Sequence, residues 1–179
     1  MNKNRIEQAW KGCRDWITDF SGSAVQAYFT EVNLERLPNA ISSLMTQTRD
    51  FRVTVYGKSE DHPAEFIPPG ELYTNILRLE KGEVDGISLD FTAPFSSFDV
   101  DFHFIFYPSS KNMLELELVW WTDRIFTDES DQAGDTYPRF EVLMSFLLDL
   151  QESIQAPHLL MGPEIYEHPG PETESWIEV

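Results

Sequence analysis

Asp99, Asp101 and His103 stand at every second position of a run whose intervening residues are Val100, Phe102 and Phe104. Glu115 and Glu117 alternate in the same way with Leu114, Leu116 and Leu118. A period of two places the carboxylates and the imidazole on one face of two extended strands and the apolar side chains on the other. Three kinds of chemistry compete for such a face. Carboxylates and imidazole are hard-to-borderline ligands, so Asp101, His103 and Glu117, with Asp99 nearby, would form a metal-dependent hydrolase site if they converged on an open coordination position. The same carboxylates set among Tyr107, Ile105 and Trp121 suit recognition of a basic protein, because aromatic side chains anchor while charges steer and select. The third reading is an ordinary wet face, which antiparallel sheets commonly have.

Other catalytic patterns fail on spacing. Cys13 is the single cysteine and falls on the apolar stripe of the first amphipathic segment, the place of a buried structural thiol. His62, His158 and His168 lie in proline-containing loops, and no His-Glu-x-x-His occurs. The nine glycines compose neither a dinucleotide fingerprint nor a phosphate loop. The stretch from Asp128 to Asp135 is rich in calcium-type ligands. Aligning Gly134 with the invariant EF-hand glycine, however, puts Phe140 where a bidentate Glu is required. Asp128, Glu129 and Asp131 are therefore read as loop charges that extend the candidate partner-binding set. No cofactor and no metal are expected.

The charge is unevenly distributed. Residues 1–81 hold ten Lys+Arg and eleven Asp+Glu, a balance of -1, whereas residues 82–179 hold three and twenty, a balance of -17. Five of those carboxylates lie in 162–179, which has three prolines and no basic residue and reads as an acidic tail. Nucleic acid and anionic membrane surfaces repel such a field. No apolar run exceeds four residues, and the N-terminal segment has no unbroken apolar stretch of the secretory kind, so a cytoplasmic location is expected.

The elements that must position these residues follow from periodicity. Ile6, Trp10, Cys13, Trp16, Ile17 and Phe20 predict a helix over 3–19, and Leu37, Ile41, Leu44 and Met45 predict another over 38–48. Residues 24–34 fit helix and strand equally well. Strands are predicted at 51–56, 73–80, 87–92, 98–107 and 113–121, and a helix from Pro138 is ended by Pro157. Pairing Tyr107 with Met113 sets Phe106, Phe104 and Phe102 against Leu114, Leu116 and Leu118, and His103 against Glu117.

The expected architecture is α+β: an antiparallel meander of about five strands, with N-terminal helices and one C-terminal helix packed on it. Residues 1–161 form the domain and 162–179 an acidic, proline-containing tail; a disordered end is the first reading of that tail, and docking through Trp176 is the alternative. The expected function is that of a non-enzymatic acidic protein that recognises a basic protein partner, as a toxin-neutralising immunity protein or a secretion escort would. Its partner-binding residues would be Asp99, Asp101, His103, Tyr107, Glu115, Glu117, Trp121, Asp128, Glu129 and Asp131. A homo-oligomeric protein with a dimer seam of Trp121, Val119 and Ile105 is the remaining reading.

Overall fold

The computed structural model describes residues 2–17, 24–58, 64–110, 113–127, 134–163 and 177–179. In chain order these form α1 (Asn2–Ile17), β1 (Ala24–Asn33), α2 (Leu37–Gln47), β2 (Arg49–Tyr56), β3 (Glu65–Ile67), α3 (Leu72–Glu80), β4 (Gly86–Pro94), β5 (Asp99–Ser110) and β6 (Met113–Trp121). They continue with α4 (Thr136–Ile154), β7 (His158–Pro163) and β8 (Ile177–Glu178). The strands make one sheet in the order β3-β2-β4-β5-β6-β1-β7-β8, and every neighbouring pair is antiparallel. Among the described residues no helix is long and apolar enough to cross a membrane.

A single apolar core joins the helices to one face of the sheet. It collects Ile6, Ala9, Cys13 and Ile17 from α1, Leu37 and Leu44 from α2, Leu72, Ile76 and Leu79 from α3, and Phe140, Leu143 and Leu147 from α4. The sheet supplies alternate residues: Phe102, Phe104 and Phe106 from β5, and Leu114, Leu116, Leu118 and Trp120 from β6. Phe146 of α4 stacks on Phe102 with ring centroids 5.3 Å apart, and Phe140 meets Trp10 of α1 at 5.0 Å. A fully buried core side chain such as Phe140 or Trp120 contributes roughly 1.5–3 kcal/mol.

The α+β class and the antiparallel sheet agree with the sequence reading, but the sheet has eight strands, not about five, and is not a simple meander. β1 is the main reason. Ala24 to Phe29 are buried at every position: Val25, Ala27 and Phe29 enter the core on one face, and Gln26 and Tyr28 lie against Glu117 and Glu115 on the other. A strand covered on both sides loses the polar alternation that would reveal it. The expected strand at 73–80 is α3: Leu72, Ile76 and Leu79 recur at four and three, and a turn of 3-10 helix at Pro69–Glu71 leads into them. Of the other additions, β3 and β8 are three residues or shorter, too brief for periodicity to show, and β7 carries no alternation and ends in Gly162-Pro163, which reads as loop.

The β5–β6 register also differs. Phe104 pairs with Leu118 and Phe106 with Leu116, so His103 faces Val119 and Glu117 faces Ile105. The hairpin is longer than its loop suggested. β5 runs through Pro108 to Ser110, with an irregularity between them that absorbs the extra residue. The slip is by two positions, so every side chain keeps its face and only the partners change.

Candidate functional site

The face of the sheet opposite the β5–β6 core residues carries a shallow concavity of about 500 Å³. Asp50 and Arg52 from β2, Asp90 and Thr92 from β4, Asp101 and His103 from β5, and Val119 and Trp121 from β6 line it. Strand pairing assembles it: Arg52 lies opposite Asp90, Asp90 opposite His103, Thr92 opposite Asp101, and His103 opposite Val119. Asp50 enters through a backbone irregularity. The β2–β4 register shifts between Arg49 and Arg52, and Asp50 takes φ 57°, a left-handed conformation that Asp tolerates better than most residues.

Each groove carboxylate has a neighbour that orients it and leaves much of it in solvent. Asp90 Oδ1 lies 2.7 Å from His103 Nδ1, with both side chains more than 40% exposed. Asp101 accepts a 2.7 Å hydrogen bond from Thr92 Oγ1, and Asp50 lies 3.8 Å from Arg49 Nε. Trp121 is 50% exposed at the β6 end of the groove. The outcome is three carboxylates, an imidazole and an indole around one depression, with Arg52 at its margin. Arg52 is turned over the exposed ring of Phe66, 5.3 Å from its centroid.

Beside the groove runs a second cluster with a different character. Glu117 is buried, accepting 2.5 Å from Gln26 Nε2 and 2.9 Å from the Tyr107 hydroxyl. Glu115 accepts from the Tyr28 hydroxyl and, at 3.2 Å, from Ser109 Oγ. Burial pushes both tyrosine hydroxyls well above their ordinary range, and the adjoining glutamates add to the rise. The tyrosines therefore remain donors at physiological pH. These two glutamates tie β1 and β5 to β6, with their acceptor capacity spent on the protein's own hydroxyl and amide groups.

The residues singled out in the sequence thus separate. Asp101, His103 and Trp121 share the groove, whereas Tyr107, Glu115 and Glu117 belong to the second, partly buried network. Asp99 stands outside both, ion-paired with Arg49. Asp128, Glu129 and Asp131 lie outside the described residues, as does Trp176. The convergence of Asp101, His103 and Glu117 required for a metal centre is not seen, because the register turns Glu117 toward Ile105, Gln26 and Tyr107. Among the described residues, no group of three His, Cys, Asp or Glu side chains could hold a metal ion.

Sequence reasoning missed Asp50, Arg52 and Asp90 in the groove, and Gln26 and Tyr28 in the network. Asp90 was within reach, since Ile87, Leu89 and Phe91 alternate around it. Gln26 and Tyr28 lie in the segment whose pattern favoured neither helix nor strand.

No family model matches the sequence, and no curated protein matches it. Among solved structures, the chain is similar to one in a crystal structure of the toxic C-terminal tip of CdiA from Pseudomonas aeruginosa in complex with an immune protein. The identity is 14%, the TM-score is 0.44, and the match covers 79% of this chain and 86% of that one.

Proposed function

We propose that this protein is a non-enzymatic cytoplasmic binding module that recognises a basic protein through the groove between β2, β4, β5 and β6. One observation carries the reading: Asp50, Asp90 and Asp101 surround a single depression beside the half-exposed Trp121. Lysine and arginine side chains suit those carboxylates, and an indole offers a cation both an apolar wall and a π face. The excess of negative charge in residues 82–179 would accelerate encounter and disfavour acidic competitors. A toxin with a basic active cleft and a secreted protein with a basic surface are both partners of this kind. In either case the carboxylates would stand in for an anionic substrate or surface.

The test compares affinity capture by the wild-type chain with capture by Asp90→Asn/Asp101→Asn, which removes two charges while keeping side-chain size and one acceptor oxygen at each position. Recovery of a basic protein by the first and not the second is expected. Equal recovery by both, or salt-insensitive self-association in place of a partner, would contradict the reading.

A further inference from the structure

The acidic groove contains a cation of its own. Arg52 lines it, and across the β2–β4 pair Arg52 lies directly opposite Asp90. Opposite charges that face each other on antiparallel strands stabilise the pair and commonly meet. Here each is engaged elsewhere. The Asp90 carboxylate lies 2.7 Å from His103 Nδ1, and the Arg52 guanidinium stands over the Phe66 ring, 5.3 Å from its centroid.

Phe66 has no place in the core. At 69% exposure it is the most open of the large apolar side chains among the described residues, and it stands on β3, a three-residue strand at the edge of the sheet. A bare phenylalanine on an edge strand is a liability unless something uses it. The register supplies the use. Phe66 lies opposite Thr54, which makes it the diagonal neighbour of Arg52 two residues away on the same face of β2. Long side chains reach across that diagonal. Arg52 thus has two seats, the Asp90 carboxylate directly opposite on β4 and the Phe66 ring diagonally on β3.

The two seats are close in strength, because a cation over an exposed ring and a solvent-exposed ion pair each stabilise by a similar small amount. A modest contact therefore decides which is filled. In the Asp90 seat the guanidinium would neutralise one groove aspartate and occupy space beside Asp50. Over Phe66 it keeps the depression open.

We propose that Phe66 is a positioning residue whose ring holds Arg52 away from Asp50 and Asp90, so that the groove's own cation does not compete with one brought by a basic partner. The inference rests on the groove being the recognition site, but the position of Arg52 is readable without any partner.

Two measurements on the full chain test it. The first is the position of Arg52 in crystal structures of the wild type and of Phe66→Ala, which alters an exposed residue outside the core. The guanidinium is expected over the ring in the wild type and within about 4 Å of the Asp90 or Asp50 carboxylate in the variant. The second is titration with trilysine amide, followed by NMR at the Trp121 indole N–H. Its Kd should rise roughly two- to fivefold in Phe66→Ala, the range of one exposed cation–π contact, and keep the wild-type value in Phe66→Tyr, which retains the ring. In an Arg52→Ala background, Phe66→Ala should have no further effect. An Arg52 that stays away from both aspartates in Phe66→Ala, or a Kd that this substitution leaves unchanged, would overturn the proposal. So would a loss of affinity that persists in the Arg52→Ala background, since Phe66 would then touch the ligand itself. Absence of any trilysine response at Trp121 would instead count against the groove as a cation site, and the crystallographic position of Arg52 would still decide the role of Phe66.

Discussion

Asp90 on β4 and His103 on β5 face each other across the strand pair, with Oδ1 of the carboxylate 2.7 Å from Nδ1 of the ring. This contact fixes the floor of the groove and directs His103 away from Glu117. The β5–β6 register sets Glu117 opposite Ile105, and the β2–β4–β5 pairing gathers Asp50, Asp90 and Asp101 around one groove.

Trp121→Ala is expected to weaken the basic partner by about 2 kcal/mol, roughly thirtyfold in Kd, as truncation of a central aromatic anchor does. The fold should barely respond, because half of the indole is already in water. Asp99→Asn is the contrast. Its carboxylate is paired with Arg49 and does not line the groove, so affinity should change little. Titration calorimetry of both variants, beside their thermal unfolding, checks the pair.

Removing a hydroxyl from the buried network should have the opposite profile. Tyr107→Phe takes a donor from Glu117, and Tyr28→Phe takes one from Glu115. Each is expected to cost about 1.5–3 kcal/mol of stability in urea unfolding at neutral pH, the range for hydrogen bonds to charged groups.

The network also sets an alkaline limit. Burial, reinforced by the neighbouring glutamates, raises both tyrosines in the folded chain, so the folded state holds their protons after the unfolded state has begun to release them. Their contribution is fully present below the unfolded value of about 10 and declines as pH rises above it. Wild-type stability should fall above that pH, and the double Tyr→Phe variant should fall less steeply. Urea unfolding across the alkaline range reads the difference.

Cys13 is 0% exposed, and burial pushes its thiol up to about 12. At neutral pH it should resist a thiol reagent in the native state and react fully in denaturant. Labelling in native buffer at the rate seen in denaturant would show that α1 is not seated on the core.

How much of this was legible in the sequence varied with the kind of signal. The two faces of β5 and β6 were plain, because alternation assigns faces whatever the register. Their pairing was not. Pro108 to Ser110 extends the strand through a bulge, and a pattern of period two cannot register an extra residue. β1 is hidden because both of its faces are covered: Val25, Ala27 and Phe29 are buried on one and Gln26 and Tyr28 on the other. α3 reads as a strand because Leu77, Arg78 and Leu79 alternate apolar and charged, although Leu72, Ile76 and Leu79 share one helical face. The groove was half visible: Asp101, His103 and Trp121 come from the strands that alternate most clearly. Asp50 depends on a left-handed residue at a strand irregularity, and Arg52 on β2 lying beside β4.

Recognition is expected to depend on the groove carboxylates and not on total charge. This is tested most directly by the association rate for the basic partner at low and at physiological salt, measured for Asp90→Asn/Asp101→Asn and for Asp149→Asn/Glu152→Gln on α4. Both variants lose two negative charges, so net charge alone would slow them equally. The groove variant should lose most of its binding and much of its salt dependence, since screening acts on the charges that meet the partner. The α4 variant should stay close to wild type. Equal losses in the two would contradict the account.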